Sequence, residues 1–238
     1  MDKTLFEGDY LDLLRTIPDG SVDLFFTDPP YGSTQAKWDT PVDLEEMWEE
    51  VLRVCKKNAP LIFFANQPFA SVLVTSRLKL FKYDLVWEKS KATGYLNAKR
   101  MPMRAHEGIL VFCRTPVPYW PEMDPGKAYD KGHAYRPTDV YGEQVATHVK
   151  SDGGRYPRSV RYHKTAESEG VVYHPTQKPL GLCRWIIRLY SRPGDLVLDP
   201  FAGSGTIPVA AQLEGRRWAA AEKEADYCNH TKKRLSFL

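Results

Sequence analysis

Residues 195–222 read DLVLDPFAGSGTIPVAAQLEGRRWAAAE. The apolar run LVLD at 196–199 predicts a buried strand, and a helix follows from about 205 to 214 with a second strand around 217–221. A strand, a helix and another strand in so short a span belong to a parallel sheet with helices on its faces. Between the first strand and the helix stand Gly203 and Gly205. Glycine takes backbone torsions closed to other residues and lets a ligand approach the main chain. The amides at the helix start would favour an electronegative ligand group. The turn is neither a phosphate loop, which needs GxxxxGK and then Ser or Thr, nor a GxGxxG dinucleotide turn. Glycine turns also occur in ordinary strand-to-helix connections, and a lone acid is often only surface. Glu222 after the next strand and Asp199 before the turn make a pair of another kind. At the end of an adjacent parallel strand, Glu222 could accept both hydroxyl hydrogens of a ribose. Asp199 could hold an ammonium, directly or through water.

The rest of the chain supplies the remaining strands. Residues 23–32, DLFFTDPPYG, end an apolar run at Asp28, two prolines, Tyr31 and a glycine. Proline lacks an amide donor and fixes its torsion, so the run stops there at a rigid corner. Residues 22–27 are apolar enough to be buried on both faces. A helix is expected over 43–57, with Leu44, Met47, Trp48, Val51, Leu52 and Val54 on one face. A strand follows at 61–64, a helix at 68–79, and strands at 83–87 and 108–113. From 116 to 175 proline, glycine, tyrosine and charge displace any period, a stretch long for a loop and expected to be functional. A helix opened by Pro179 at its first position is expected over 179–190.

The 238 residues suit one large domain, or one with a small insertion. A net charge of +3 permits a nucleic-acid partner without requiring one. No apolar signal core and no run near 18 apolar residues is present, so a cytoplasmic protein without a membrane partner is expected. Cys55, Cys113, Cys183 and Cys228 are scattered singly and give neither a disulfide framework nor a zinc pattern. His163 and His174 have no carboxylate or cysteine spaced with them, so no metal is expected.

Taken together, TDPPYG at 27–32, HPTQKP at 174–179 and DPFAGSGT at 199–206 resemble an S-adenosylmethionine-dependent DNA amino-methyltransferase of the circularly permuted beta class. The resemblance implies a Rossmann-like α/β sheet of class I methyltransferases, mostly parallel with one antiparallel strand. It also implies roles. Asp28, Pro29, Pro30 and Tyr31 would be catalytic. Asp199, Phe201, Ala202, Gly203, Ser204, Gly205, Thr206 and Glu222 would form the cofactor site. Asp9 would stand near the adenine amino group of the cofactor, and Thr176 and Lys178 would close over its methionine end.

The implied acceptor is an exocyclic base amine held by Asp28 and the Pro29 carbonyl, with Tyr31 stacking on a base flipped out of the duplex. An initial Asp in the tetrapeptide favours adenine N6, while cytosine N4 stays open. Lys150, Arg155, Arg158, Arg161 and Lys164 form one candidate DNA-contact patch, and Lys89, Lys91, Lys99, Arg100 and Arg104 a second. Solvated surface is the bland reading of both. Spacing by three would align the arginines on a helix, although Gly153, Gly154 and Pro157 argue against one. The expected organisation is a catalytic half at 1–115, a target-recognition insertion at 116–173 and a cofactor half at 174–238. Double-stranded DNA is the implied partner, and the resemblance admits a homodimer and a separate restriction endonuclease. Rival readings are an RNA or protein methyltransferase, and a non-catalytic DNA-binding module. The module leaves Asp199, Gly203, Gly205 and Glu222 without a shared reason.

Overall fold

In a computed structural model, residues 3–32, 39–134 and 147–238 are described. The chain forms two compact units, residues 1–120 with 159–238, and Pro121–Arg158.

The first unit begins with β1 (Thr4–Glu7), α1 (Tyr10–Thr16) and β2 (Leu24–Thr27). It continues through α2 (Leu44–Val54), β3 (Leu61–Ala65), α3 (Phe69–Ser76), β4 (Phe81–Thr93) and β5 (Arg104–Phe112). The second unit holds β6 (Asp124–Pro125), β7 (Tyr129–Ala134), β8 (Thr147–Ser151) and β9 (Gly154–Arg155). The chain then returns through β10 (Val160–His163), α4 (Leu180–Tyr190), β11 (Leu196–Asp199), α5 (Thr206–Leu213), β12 (Arg217–Glu222) and α6 (Ala225–Leu235).

Eight strands form one sheet in the order β1-β12-β11-β2-β3-β5-β4-β10. Only β5 runs against its neighbours, pairing antiparallel with both β3 and β4. The expected sheet, mostly parallel with a single antiparallel strand, is therefore the observed one. Alternate residues of its central strands enter two separate cores. Phe25, Leu61 and Phe63 pack with Trp48, Val51 and Leu73 on one face. Leu24, Phe26, Ile62 and Phe64 pack with Ile186, Ile187 and Ala210 on the other. Both faces are covered, which is why LFFT and LIFFA read as continuous apolar runs without alternation.

Several element boundaries differ from expectation. The 43–57 helix is confined to Leu44–Val54, with Asp43 capping the amides of Glu45 and Glu46. Pro179 stands at the cap of α4 with an extended backbone (φ −63°, ψ 133°), one position before the helix. Strand β4 is much longer than 83–87, because its polar second half is held by pairing, with a register shift between Glu88 and Thr93. The excursion is shorter than 116–173. Val160–His163 pairs parallel with Val86–Lys89 and forms the sheet edge, so the compact second unit ends at Arg158. Arg155 and Arg161 lie on strands, which removes the helical alignment considered for the arginines.

In the second unit, β6 pairs with β9 and β7 with β8, both antiparallel. The Arg155 guanidinium donates to Ser151 Oγ at 2.7 Å and to the Lys127 carbonyl, and lies over the Tyr129 ring. It is an internal strut of this unit, a role the sequence reading of Arg155 as a candidate DNA contact did not include. No helix among the described residues is long and apolar enough to cross a membrane.

Candidate active site

The parallel strands bring their carboxyl ends to one edge, where ligands of open α/β sheets bind. A cleft of about 750 Å³ opens there. It is lined by Asp9 after β1, Asp28 after β2, Asp199 at the end of β11, Glu222 at the end of β12, and His174 before α4. Because β5 is antiparallel, its start lies at the same edge and contributes Glu107 and Arg104. The three motifs, up to 172 residues apart, thus share one cavity.

The cofactor side is built from β11, β12 and the glycine turn. Asp199 Oδ1 accepts the Thr27 hydroxyl at 2.7 Å and the Phe201 amide at 3.2 Å. Asp199 is 2% exposed, and burial pushes its carboxyl up to about 7 despite these donors. Glu222 Oε2 accepts the Gly203 amide at 2.8 Å, and Oε1 the Glu224 amide at 2.9 Å. Burial raises this carboxyl as well.

The Phe201 and Gly203 amides therefore face the two acids, while Ala202 donates to the Ala221 carbonyl and Gly205 to the Ala202 carbonyl. The loop is braced from behind. Arg234 donates to the Ser204 carbonyl at 2.7 Å and to Thr206 Oγ1 at 3.0 Å, and Thr231 donates to the Gly203 carbonyl. Ser204 Oγ donates to Gln177 Oε1 at 3.0 Å, tying the loop to the HPTQKP segment. In that segment His174 Nδ1 accepts the Thr176 amide at 3.2 Å. Burial, helped by Lys178, lowers the imidazole to about 4, so it is neutral at pH 7. Asp9 caps α1 by accepting the Leu11 amide at 2.9 Å and remains exposed at the cleft.

The catalytic side is a buried charge cluster. The Tyr31 hydroxyl donates to Asp28 Oδ1 at 2.5 Å, and its ring stacks on Phe69 with centroids 5.1 Å apart. Asp39 fastens the corner, its Oδ1 accepting the amides of Tyr31 at 2.7 Å and Gly32 at 2.8 Å. Lys178 donates to Asp28 Oδ2 and lies 3.5 Å from Glu107 Oε2, while Lys89 pairs with Glu107 Oε1. Burial disfavours the Lys178 ammonium, but the two carboxylates outweigh it and keep the group charged. Burial lifts the Asp28 carboxyl above its ordinary value, with Lys178 opposing. For Glu107 the balance is reversed, and the two lysines overcome burial to hold it below the usual range.

Lys178 thus stands against the catalytic-motif acid. Lys89, one of the candidate DNA contacts, is 8% exposed at its side chain and lines the cleft. Lys99, Arg100 and Arg104 are exposed around the β4–β5 turn, and Lys91 is exposed 3.9 Å from Glu167. Lys150, Arg158 and Lys164 are exposed, and Arg161 lies over the Trp185 ring. Sequence reasoning missed Thr27, Asp39 and Glu107. Only Glu107 left a signal, as an acid directly before the apolar run GILVF.

The residues fit S-adenosylmethionine. Two acids sit at neighbouring strand ends, and each Glu222 oxygen, having taken one backbone amide, keeps a lone pair for a hydroxyl. Gly203 leaves the turn open, since an added Cβ would meet nothing nearer than His174 at 3.8 Å. Fold and cleft are those of a class I methyltransferase.

A family model described as DNA methylase matches residues 22–233. The DNA adenine methyltransferase YhdJ of Escherichia coli strain K12 is 35% identical over 250 residues, covering 98% of this chain and 82% of that protein. Among solved structures, the M1.HpyAVI–SAM complex matches with a TM-score of 0.68 at 22% identity, covering 98% of each chain. The cytosine-N4-specific PvuII DNA methyltransferase matches at 0.69 and 18% identity, covering 99% of this chain and 86% of that one. The chain belongs to the N6/N4 DNA methylase family.

Proposed function

We propose that this chain methylates N6 of an adenine rotated out of duplex DNA, at a short specific sequence. The observation that carries the reading is a single cleft holding the motif acid Asp28 beside Asp199 and Glu222. Adenine is preferred over cytosine because the relative at 35% identity is named an adenine methyltransferase, and because the tetrapeptide begins with Asp. The fold itself is common to an adenine-type and a cytosine-N4 relative and does not choose.

In this reading Glu222 accepts the ribose hydroxyls, Asp199 faces the methionine ammonium, and Asp9 faces the adenine amine of the cofactor. Residues Phe201–Thr206 and Thr176 shape the walls. When bound, S-adenosylmethionine supplies an electrophilic methyl whose bonding pair stays on sulfur as the amine lone pair forms the new N–C bond. Asp28 and the Pro29 carbonyl accept the two amine hydrogens, turn the lone pair toward the methyl and stabilise the positive charge that grows on nitrogen. After transfer the proton passes from the methylated nitrogen to water. Pro29 and Pro30 keep the corner rigid. Tyr31, backed by Phe69, offers a ring on which the base stacks, worth roughly 1–3 kcal/mol. Extrusion of the base costs a few kcal/mol.

Lys91, Lys99, Arg100 and Arg104 are exposed, together with Tyr95 at 79% and Leu96 at 96%, where the β4–β5 excursion leaves the cleft rim. This cationic turn suits a DNA backbone next to an extruded base. Lys150 and Arg158 of the second unit, and separately Arg161 and Lys164 of the first, are further candidate phosphate contacts, and the Pro121–Arg158 unit supplies target recognition. The site of action is cytoplasmic DNA. A homodimer and a separate restriction endonuclease are compatible with this reading, and no residue interaction described above requires either.

Incubation with S-adenosylmethionine and mixed-sequence duplex DNA, followed by nucleoside mass spectrometry, tests the assignment. N6-methyladenine is the expected product. N4-methylcytosine would overturn the base assignment and leave the mechanism standing.

A further inference from the structure

Asp28, Lys178, Glu107 and Lys89 form a buried row of alternating charge, their side chains 20%, 7%, 10% and 8% exposed. Both Asp28 oxygens already hold a donor, Tyr31 on Oδ1 and Lys178 on Oδ2. Each oxygen keeps a second lone pair, so the target amine would have to share Oδ2 with the lysine ammonium that already sits on it. Glu107 is only half used. Its Oε1 takes Lys89, while its buried Oε2 accepts no hydrogen bond among the described residues. A buried acceptor is costly to leave unmade. It sits 3.5 Å from the Lys178 ammonium, whose charge also lies over the Phe64 ring at 5.0 Å.

We propose, on the functional reading above, that Glu107 is a positioning residue that receives the Lys178 ammonium when the target amine claims Asp28. The transfer requires a shift of Nζ of about 0.6 Å from 3.5 Å to reach ordinary hydrogen-bond distance. It leaves the row neutral, two carboxylates against two ammoniums. It also draws a positive charge away from the nitrogen on which positive charge must develop, where the repulsion falls with distance. Without Oε2 the ammonium has no second carboxylate within the row, and the amine must compete with it for Asp28.

The inference predicts a specific dependence between two substitutions. In the parent background, Glu107→Gln lowers kcat for methylation of unmethylated plasmid DNA by about thirtyfold or more, while cofactor Kd and KM for DNA change by less than about threefold. Lys178→Met removes the competing donor and keeps measurable activity. In that background Glu107→Gln brings no further loss, or a gain, because it relieves repulsion between Glu107 and Asp28. The double variant removes one charge of each sign, so the comparison stands even if Glu107→Gln alone folds poorly. Thermal unfolding is followed for every protein. A double variant well below Lys178→Met, or an inactive Lys178→Met that still folds and binds cofactor, overturns the role of Glu107. A parent that methylates no DNA would instead remove the functional reading on which it rests.

Discussion

The Thr27 hydroxyl donates to Asp199 Oδ1 at 2.7 Å, joining the strand that ends in the catalytic corner to the strand that ends in the cofactor acid. Both residues are buried, and the bond is one of two that hold this Asp199 oxygen. It sets the distance between two chemistries that the sequence keeps 172 positions apart. Thr27→Val keeps the shape and deletes the donor. A hydrogen bond to a charged group contributes about 1.5–3 kcal/mol. Cofactor affinity at pH 7 should fall about tenfold, as titration calorimetry would show.

Asp199 predicts two opposite pH slopes. Its folded-state value, about 7, lies above the ordinary 3.8. The stability tied to that raised value is fully present below about pH 4 and is lost as pH rises through about 7. An ammonium ligand needs the carboxylate, so cofactor affinity should instead rise with pH and level off above about 7. Binding at pH 6.5 should release a proton, visible as a dependence of the calorimetric enthalpy on buffer. Asp199→Asn should bind weakly and flatten both slopes.

His174 gives the contrary stability slope. Its folded-state value of about 4 lies below the ordinary 6.5. The stability it contributes is present above about pH 6.5 and is lost as pH falls through about 4. Urea midpoints measured from pH 7 to pH 4 should fall less for His174→Gln than for the parent.

Gly205 should not tolerate a side chain. Its φ is +79°, and an added Cβ would meet Thr231 at 2.5 Å. Gly205→Ala should push α6 away from the glycine turn, weaken the braces from Thr231 and Arg234, and lower both Tm and cofactor affinity. Gly20→Ala provides a comparison, being left-handed at φ +59° but with open space around its Cβ.

The two basic patches should separate by function. Lys99→Gln with Arg100→Gln removes exposed charge and should weaken DNA binding, reducing the slope of log K against log salt by about 0.9 per lost phosphate contact. Cofactor affinity should be unchanged. Arg155→Ala should loosen the Pro121–Arg158 unit, because its guanidinium holds Ser151 Oγ and the Lys127 carbonyl. Protease sensitivity within that unit would report the loss.

The sheet was legible because its central strands are buried on both faces, so LFFT, LIFF and LVLD appear as uninterrupted apolar runs. Two acids and two glycines marked the cofactor side, since their chemistry stands close together in sequence. What escaped depended on distant pairing. Val160–His163 is a four-residue edge strand whose place is fixed by β4, and its alternation is too short to read. Asp39 and Thr27 act through hydrogen bonds that only the folded chain creates. The resemblance sets Lys178 at the methionine end of the cofactor, and Lys89 stands in the basic run with Lys91, so neither suggests an ion pair with a distant acid. Glu107, on the antiparallel strand of the eight-stranded sheet, pairs with both in the cleft.

The most direct test of the central claim measures cofactor affinity and single-turnover methyl transfer for the parent and Asp28→Ala side by side. The account predicts a Kd within about threefold and a transfer rate at least about a thousandfold lower, the pattern of an interaction used in the transition state. Near-parental transfer by Asp28→Ala would contradict the role given to the acid after β2.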